Sequence, residues 1–258
     1  MSRRLPILSP SSIADLNCGK RYHTLRVLNL WPPKTAISAV ARGSAFHGLM
    51  NSLYANRFEG QVDTRDIPAL AREAVQRQMW PVGTVIAEET ARVEKLARTY
   101  LQSEDLEDIT ATISTETTIE FVYRHCGKPL ASIKATLDRV LVRPEQPEIL
   151  VIKEYKTTAQ RVKFREALIL LWCAKTRWPG FKYVLEYEWI DSEGSVERTT
   201  VTTDMVQGQL KLLVHSLLRV LSSPPVPEPG AKCQWCHLRP ECQELGAVSL
   251  GVDENPFA

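Results

Sequence analysis

What this chain lacks narrows its chemistry before any motif is considered. No apolar run approaches the ~20 residues that a membrane-spanning helix needs, so no span is expected. A dominant charge is missing too: 32 Lys and Arg face 30 Asp and Glu, for a net charge of +2. A chain so balanced is no basic coat for nucleic acid, and any nucleic-acid footprint has to be local. The stretch Met1-Ser-Arg-Arg-Leu-Pro-Ile-Leu-Ser-Pro10 has basic residues but no useful apolar region before its prolines, which speaks against a secretory signal. A cytoplasmic location is the expectation, and with it a scarcity of disulfides. Internal repeats are absent, and the one biased tract, Ser222-Ser-Pro-Pro-Val-Pro-Glu-Pro-Gly230, reads as an extended tether. Only one Cys-x2-Cys pair occurs among the six cysteines, so paired zinc knuckles are excluded. A length of 258 residues with 44% hydrophobic content fits one large domain over residues 1–258.

What is present centres on two short stretches. Leu137-Asp138-Arg139-Val140-Leu141-Val142 and Leu150-Val151-Ile152-Lys153-Glu154-Tyr155-Lys156-Thr157 are apolar and β-prone, with turn chemistry in Arg143-Pro-Glu-Gln-Pro147 between them. They are predicted to pair as antiparallel strands. The strand period of two puts Glu154 and Lys156 on one face and turns Tyr155 away from it. An Asp, a Glu and a Lys converging on a sheet face suit a hard divalent cation such as Mg²⁺ or Mn²⁺ beside a fixed positive charge. Such an ion activates water and neutralises phosphate charge, and Lys156 can orient that water or stabilise developing charge. Taken alone, the same residues also describe a solvated edge with a surface ion pair. Arg139, Arg143, Lys153, Lys156, Arg161, Lys163 and Arg165 cluster around the carboxylates in sequence.

In chain order, Ser9-Pro10-Ser11-Ser12 offers a helix cap before Ile13 and Leu16 and a short helix to Cys18. Ala36 to Tyr54 carries a helical pattern with His47 in its middle. Helical periodicity continues from Ile67 to Leu101, broken by Pro81-Val82-Gly83, and residues 55–105 read as a helical insertion. Thr110 to Tyr123 alternates as a strand, with a turn at Gly127-Lys128-Pro129; Glu116 reads as an exposed strand residue that faces the same general region. Phe164 to Trp178 reads as a helix ended by Pro179-Gly180, and Tyr183–Ile190 and Val196–Thr202 as a hairpin. Asp204 is expected to cap a last helix through Leu221, before the tether and cysteine-bearing tail of residues 222–258.

Cys126 and Cys173 read as ordinary small core or sheet residues. Cys233, Cys236 and Cys242 stand together in an x2 then x5 spacing, and three thiolates need a fourth ligand, either Cys18 or His237. Zinc and an iron–sulfur cubane are both open to such a set, the cubane better suited to one distant cysteine.

Asp138 with Glu154-Tyr155-Lys156-Thr157 resembles the core of the PD-(D/E)xK nucleases, specifically the RecB-like branch. Gly43-Ser44-Ala45-Phe46-His47 is similar to that branch's first motif, and Leu8-Ser9-Pro10-Ser11-Ser12-Ile13 with Cys18, Arg21 and Tyr22 to its amino-terminal signature. Cys233-x2-Cys236-x5-Cys242 resembles the [4Fe–4S] variant of AddB-type and CRISPR-adaptation nucleases. The resemblance implies a restriction-endonuclease-like α/β fold, a mixed central sheet flanked by helices, with a terminal iron–sulfur clamp. It also implies that His47, Asp138 and Glu154 hold metal, that Lys156 serves catalysis, and that Cys18, Cys233, Cys236 and Cys242 hold a structural [4Fe–4S] cluster. Two features depart from the pattern: Lys153 replaces the usual apolar residue before Glu154, and Glu166–Trp172 lacks the usual Gln-x-x-x-Tyr. The expected activity is metal-dependent DNA exonuclease action on single strands with a free end, with Tyr22, Trp172 and Trp235 as stacking candidates. The competing expectation is a weakly active processing or binding subunit of a CRISPR-adaptation or recombination complex.

Overall fold

The computed structural model describes residues 5–32, 36–55, 63–104, 106–157, 163–190, 195–222, 224, 227–228, 233 and 236–244. Strand β1 (Ile7–Leu8) is followed by a 3-10 turn (Ile13–Asn17), helix α1 (Gly19–Tyr22) and a π turn (His23–Val27). Helices α2 (Ser38–Ala55), α3 (Ile67–Gln76), α4 (Ile86–Gln102) and α5 (Leu106–Thr110) come next. Strands β2 (Thr112–His125), β3 (Lys128–Leu141) and β4 (Ile149–Lys156) lead to α6 (Phe164–Arg177). The remainder is β5 (Lys182–Ile190), β6 (Val196–Thr202), α7 (Thr203–Val206), α8 (Gln209–Ser222) and α9 (Arg239–Glu244).

Mixed pairing organises the sheet. Along one edge of β3 runs β2, antiparallel; the other edge is shared by β1, parallel at Ser132 and Ile133, and β4, antiparallel at Arg139–Leu141. β4 and β5 are parallel, which requires a crossover, and α6 supplies it. β6 closes the sheet against β5. α6 and α8 join the strands in one apolar cluster that includes Ile133, Leu137, Ile152, Leu170 and Leu185. A second cluster gathers α2, α3 and α4 over Tyr155 and Ile190. The sheet is thus flanked by helices.

Most expected elements form where periodicity put them, and the differences have local causes. The β2–β3 turn is centred on Cys126 and Gly127, both at positive φ (49° and 76°), the geometry that two-residue hairpins use. Cys126 is therefore an exposed turn residue rather than a core or sheet one, whereas Cys173 is buried. The expected helix from Asp204 to Leu221 is split into α7 and α8, and Thr202 rather than Asp204 stands at the N-cap of α7. No helix among the described residues is long and apolar enough to cross a membrane.

Candidate active site

Crossing of α2 over the ends of β3 and β4 brings the singled-out residues together. Gly43 makes the crossing close: a Cβ there would lie 3.0 Å from Thr157 Oγ1, just beyond β4. One turn later, His47 Nδ1 lies 3.1 Å from Asp138 Oδ1 and 3.5 Å from Glu116 Oε1. The backbone N–H of Tyr155 donates to Asp138 Oδ2 at 2.8 Å, which orients the carboxylate. His47, Glu116 and Asp138 each offer a ligand atom, all within 4.8 Å of one another.

Glu116 is the residue that sequence reading undervalued. It stands opposite Asp138, between the paired Thr115–Arg139 and Thr117–Leu137, at a φ of 43° that an L residue inside a strand rarely adopts. Strain of this kind persists where the surroundings over-determine it, and it clusters at functional sites.

Glu154 and Lys156 share the other half of the site. Lys156 Nζ donates to Glu154 Oε1 at 2.7 Å and to Glu166 Oε1, from the first turn of α6, at 3.3 Å. Burial works against the Lys156 charge, but Glu154, Glu166 and Asp138 outweigh it and hold the amine above the ordinary lysine range. Lys156 is thus held as a cation between two carboxylates. Burial, then the proximity of Asp138, pushes the Glu154 carboxyl up to about 8 despite Lys156 and His47. For His47 burial lowers the pKa, yet Asp138, Glu116 and Glu154 raise it well above the ordinary imidazole value. Glu154 Oε2 is buried with no hydrogen-bond partner. Such an oxygen costs roughly 1–3 kcal/mol if left unmet, and a hard cation among carboxylates is the group that meets it.

Beside this half of the site opens a cleft of about 760 Å³, lined by Glu154, Lys156, Lys163, Phe164, Arg165 and Glu166 together with Gln209 and with Pro10, Ser11, Ile13, Ala14 and Asn17 of the amino-terminal segment. The expected basic cluster is only partly there. Arg139 and Lys153 are 0% and 1% exposed and belong to an ion network away from Glu154 and Lys156. Lys153 Nζ reaches Glu104 at 2.5 Å, Asp108 at 2.8 Å and Glu188 at 3.2 Å, while Arg139 pairs with Glu104 and donates to Tyr54 Oη at 2.7 Å. Strand alternation explains this, since Lys153 and Glu154 point to opposite faces. Arg143 binds Asp108 and Glu186. Among the stacking candidates, Tyr22 is fully buried and cannot receive a base, Trp172 packs its ring at 5.4 Å against Tyr123, and Tyr155 lies in the α2–α4 cluster as expected. Trp235 and Arg161 lie outside the described residues.

A separate small cavity is lined by Cys18, Cys233, Cys236 and Cys242, with Lys20, Arg21 and Arg239 around them; His237 is not among its lining residues. The Cys242 thiol is raised by burial, opposed by Lys20, and raised further by Cys18, Cys236 and Cys233. Thiols from both ends of the described chain therefore converge.

No curated protein matches the chain. A solved structure from Eubacterium rectale, described as a candidate exonuclease, superposes with a TM-score of 0.59 at 11% identity, covering 98% of this chain and 91% of that one. A second, SSO0001, is 14% identical over 83% of this chain and 98% of its own, with a TM-score of 0.38. The sequence profile described as the PD-(D/E)XK nuclease superfamily matches residues 7–243, which takes in β1, the carboxylates, Lys156 and all four converging cysteines: the chain belongs to the PD-(D/E)XK nuclease superfamily.

Proposed function

We propose that the protein is a Mg²⁺- or Mn²⁺-dependent DNA exonuclease of the RecB-like branch that acts on single strands with a free end, in the cytoplasm and in DNA repair or recombination. The observation that carries this reading is Glu154 Oε2, a buried carboxylate oxygen without a partner, on a side chain paired with Lys156 and within electrostatic reach of Asp138 and His47. Asp138, Glu154 and His47 are the residues that would hold the ion, with Glu116 as an added ligand. A divalent cation bound there supplies charge neutralisation for the scissile phosphate and a more acidic water. The chain's own part is positional. Tyr155 N–H fixes Asp138, Glu166 and Glu154 fix Lys156, and the Lys156 ammonium orients the attacking water and stabilises charge developing on the phosphate. A net charge of only +2 suits a narrow single strand better than broad duplex coverage.

The cysteine cavity is read as a structural [4Fe–4S] site held by Cys18, Cys233, Cys236 and Cys242, a clamp between the amino-terminal segment and the tail at residues 222–258. A tetrahedral zinc site with ~2.3 Å bonds would draw sulfurs to about 3.8 Å of one another. The set joins one distant cysteine, Cys18, to three in the tail, the arrangement that suits the larger group. Residues 55–105 are read as a helical insertion within a single domain.

A second reading, a weakly active subunit of a larger DNA-processing complex, is supported by the exposed apolar residues Leu28, Leu30, Trp31, Ile37 and Val40, more than half exposed and close in sequence. End-labelled linear and circular strands, incubated with Mn²⁺ or with EDTA, separate the readings. Metal-dependent loss of linear single strands with circles spared is expected; equal cutting of circles defeats the free-end requirement, and cutting only after a partner is added favours the second reading.

A further inference from the structure

Phe164 is a large apolar residue left 40% exposed at the first position of α6. It lines the cleft that also contains Glu154 and Lys156. Two residues on, Glu166 contacts Lys156 Nζ at 3.3 Å, so the helix turn bearing Phe164 is tied to the cutting residues. Lys163 and Arg165 flank it and line the same cleft. Pro10, Ser11, Ile13, Ala14, Asn17 and Gln209 add uncharged lining, and Glu166 lies 3.9 Å from Lys163 Nζ. A flat ring flanked by two cations in a cleft is the arrangement by which single-stranded nucleic acid is held: cations track the phosphates and the ring carries a base. The aromatic candidates on view elsewhere are committed, Tyr22 and Tyr155 being buried and Trp172 packed on Tyr123.

We infer that Phe164 is the stacking platform for a base of a single strand entering this cleft, with Lys163 and Arg165 on the adjoining phosphates, so that the strand's end is presented to Glu154 and Lys156. The inference deepens the nuclease reading and rests on it. Phe164 acts here as a positioning residue, because it sets where the strand lies and touches no reacting atom. It offers a grip at the start of α6, on a helix that lacks the Gln-x-x-x-Tyr pattern further along.

The test measures binding without cutting. The full chain is titrated in EDTA against a short fluorescein-labelled DNA strand and against the same strand with abasic sites in place of its bases. Phe164→Ala is expected to weaken binding of the ordinary strand roughly ten-fold or more, the loss of one stacked base, while Phe164→Trp retains it. The abasic strand should bind wild type weakly and be indifferent to Phe164→Ala. Equal binding of the ordinary strand by wild type and Phe164→Ala overturns the inference, as does an equal loss on both strands, which would mark Phe164 as packing only. Phe164→Leu keeps the apolar volume without the ring, so it decides the matter if the alanine variant does not fold: affinity equal to wild type overturns the stacking role. Failure of wild type to cut linear strands with Mn²⁺ counts against the nuclease reading instead, and it is read in a separate assay.

Discussion

Lys153 and Glu154 are neighbours on β4, both almost wholly buried, and they illustrate two ways of burying charge. Lys153 meets three carboxylates, and with Arg139, Arg143 and Arg198 it builds a network in which cations and carboxylates answer one another. Glu154, on the opposite face, shares a single cation with Glu166 and leaves one oxygen unmet. Ion burial is tolerated for structure only when partners are complete. The incomplete face is the one to which we assign function, since its deficit is of the kind that a bound cation would fill.

The largest expected effect tests the incomplete face. Asp138→Ala, Glu154→Ala and Lys156→Ala should each cut nuclease activity on the order of 10³-fold or more while the circular dichroism spectrum shows that each variant is still folded. Because each removes one part of a joint site, a double variant should lose little more than a single one. Full activity in Glu154→Ala would sink the assignment.

On the complete face the order of effects reverses. Lys153→Met strips a cation from Glu104, Asp108 and Glu188 and should destabilise the fold by about 3 kcal/mol or more in urea unfolding, the cost of leaving buried charge unpaired. A loss under about 0.5 kcal/mol, the range of ordinary surface substitutions, would break the contrast between the faces.

A smaller effect follows from the Glu154 pKa. A carboxyl raised in the folded state binds its proton more tightly there, so metal-free protein loses stability as pH rises from the unfolded value of about 4.3 toward the folded value of about 8. Glu154→Gln should abolish that loss and be the more stable chain at pH 8 without metal, but not at pH 4. Added Mn²⁺ should reverse the ranking by raising the melting temperature of wild type alone. Thermal melts across this range, with and without the ion, decide it; a metal-free wild type that gains stability between pH 5 and 8 relative to Glu154→Gln contradicts the burial argument.

The smallest effect probes how the incomplete face is assembled. Gly43→Ala places a methyl 3.0 Å from Thr157 Oγ1, so α2 must give by a few tenths of an ångström and carry His47 with it. A few-fold drop in activity is expected, restored by adding Thr157→Ala, with stability little changed because alanine favours the helix by up to about 1 kcal/mol. Activity that is unchanged in the single variant removes Gly43 from the account.

Much of this was legible in order of residues. The strands around Asp138 and Glu154, the shared face of Glu154 and Lys156, the outward turn of Tyr155 and the breaks at Pro81–Gly83 and Pro179–Gly180 follow from periodicity and from residues that cannot continue a helix. The reversal of Arg139 and Lys153 into a buried network was available from the same period of two, but the carboxylates that receive them come from Glu104 just after α4, from α5 and from β5, which nothing local connects. Sequence by itself determined which residue types line β3 and β4 and in what alternation. Only the tertiary structure decided that Glu116 belongs with Asp138 and His47: an irregularity between Tyr123 and Arg124 shifts the β2–β3 register by one residue, and without that shift Glu116 would stand opposite Leu137. A one-residue slip is invisible in composition because it depends on how a turn closes, yet it decides which side chains meet.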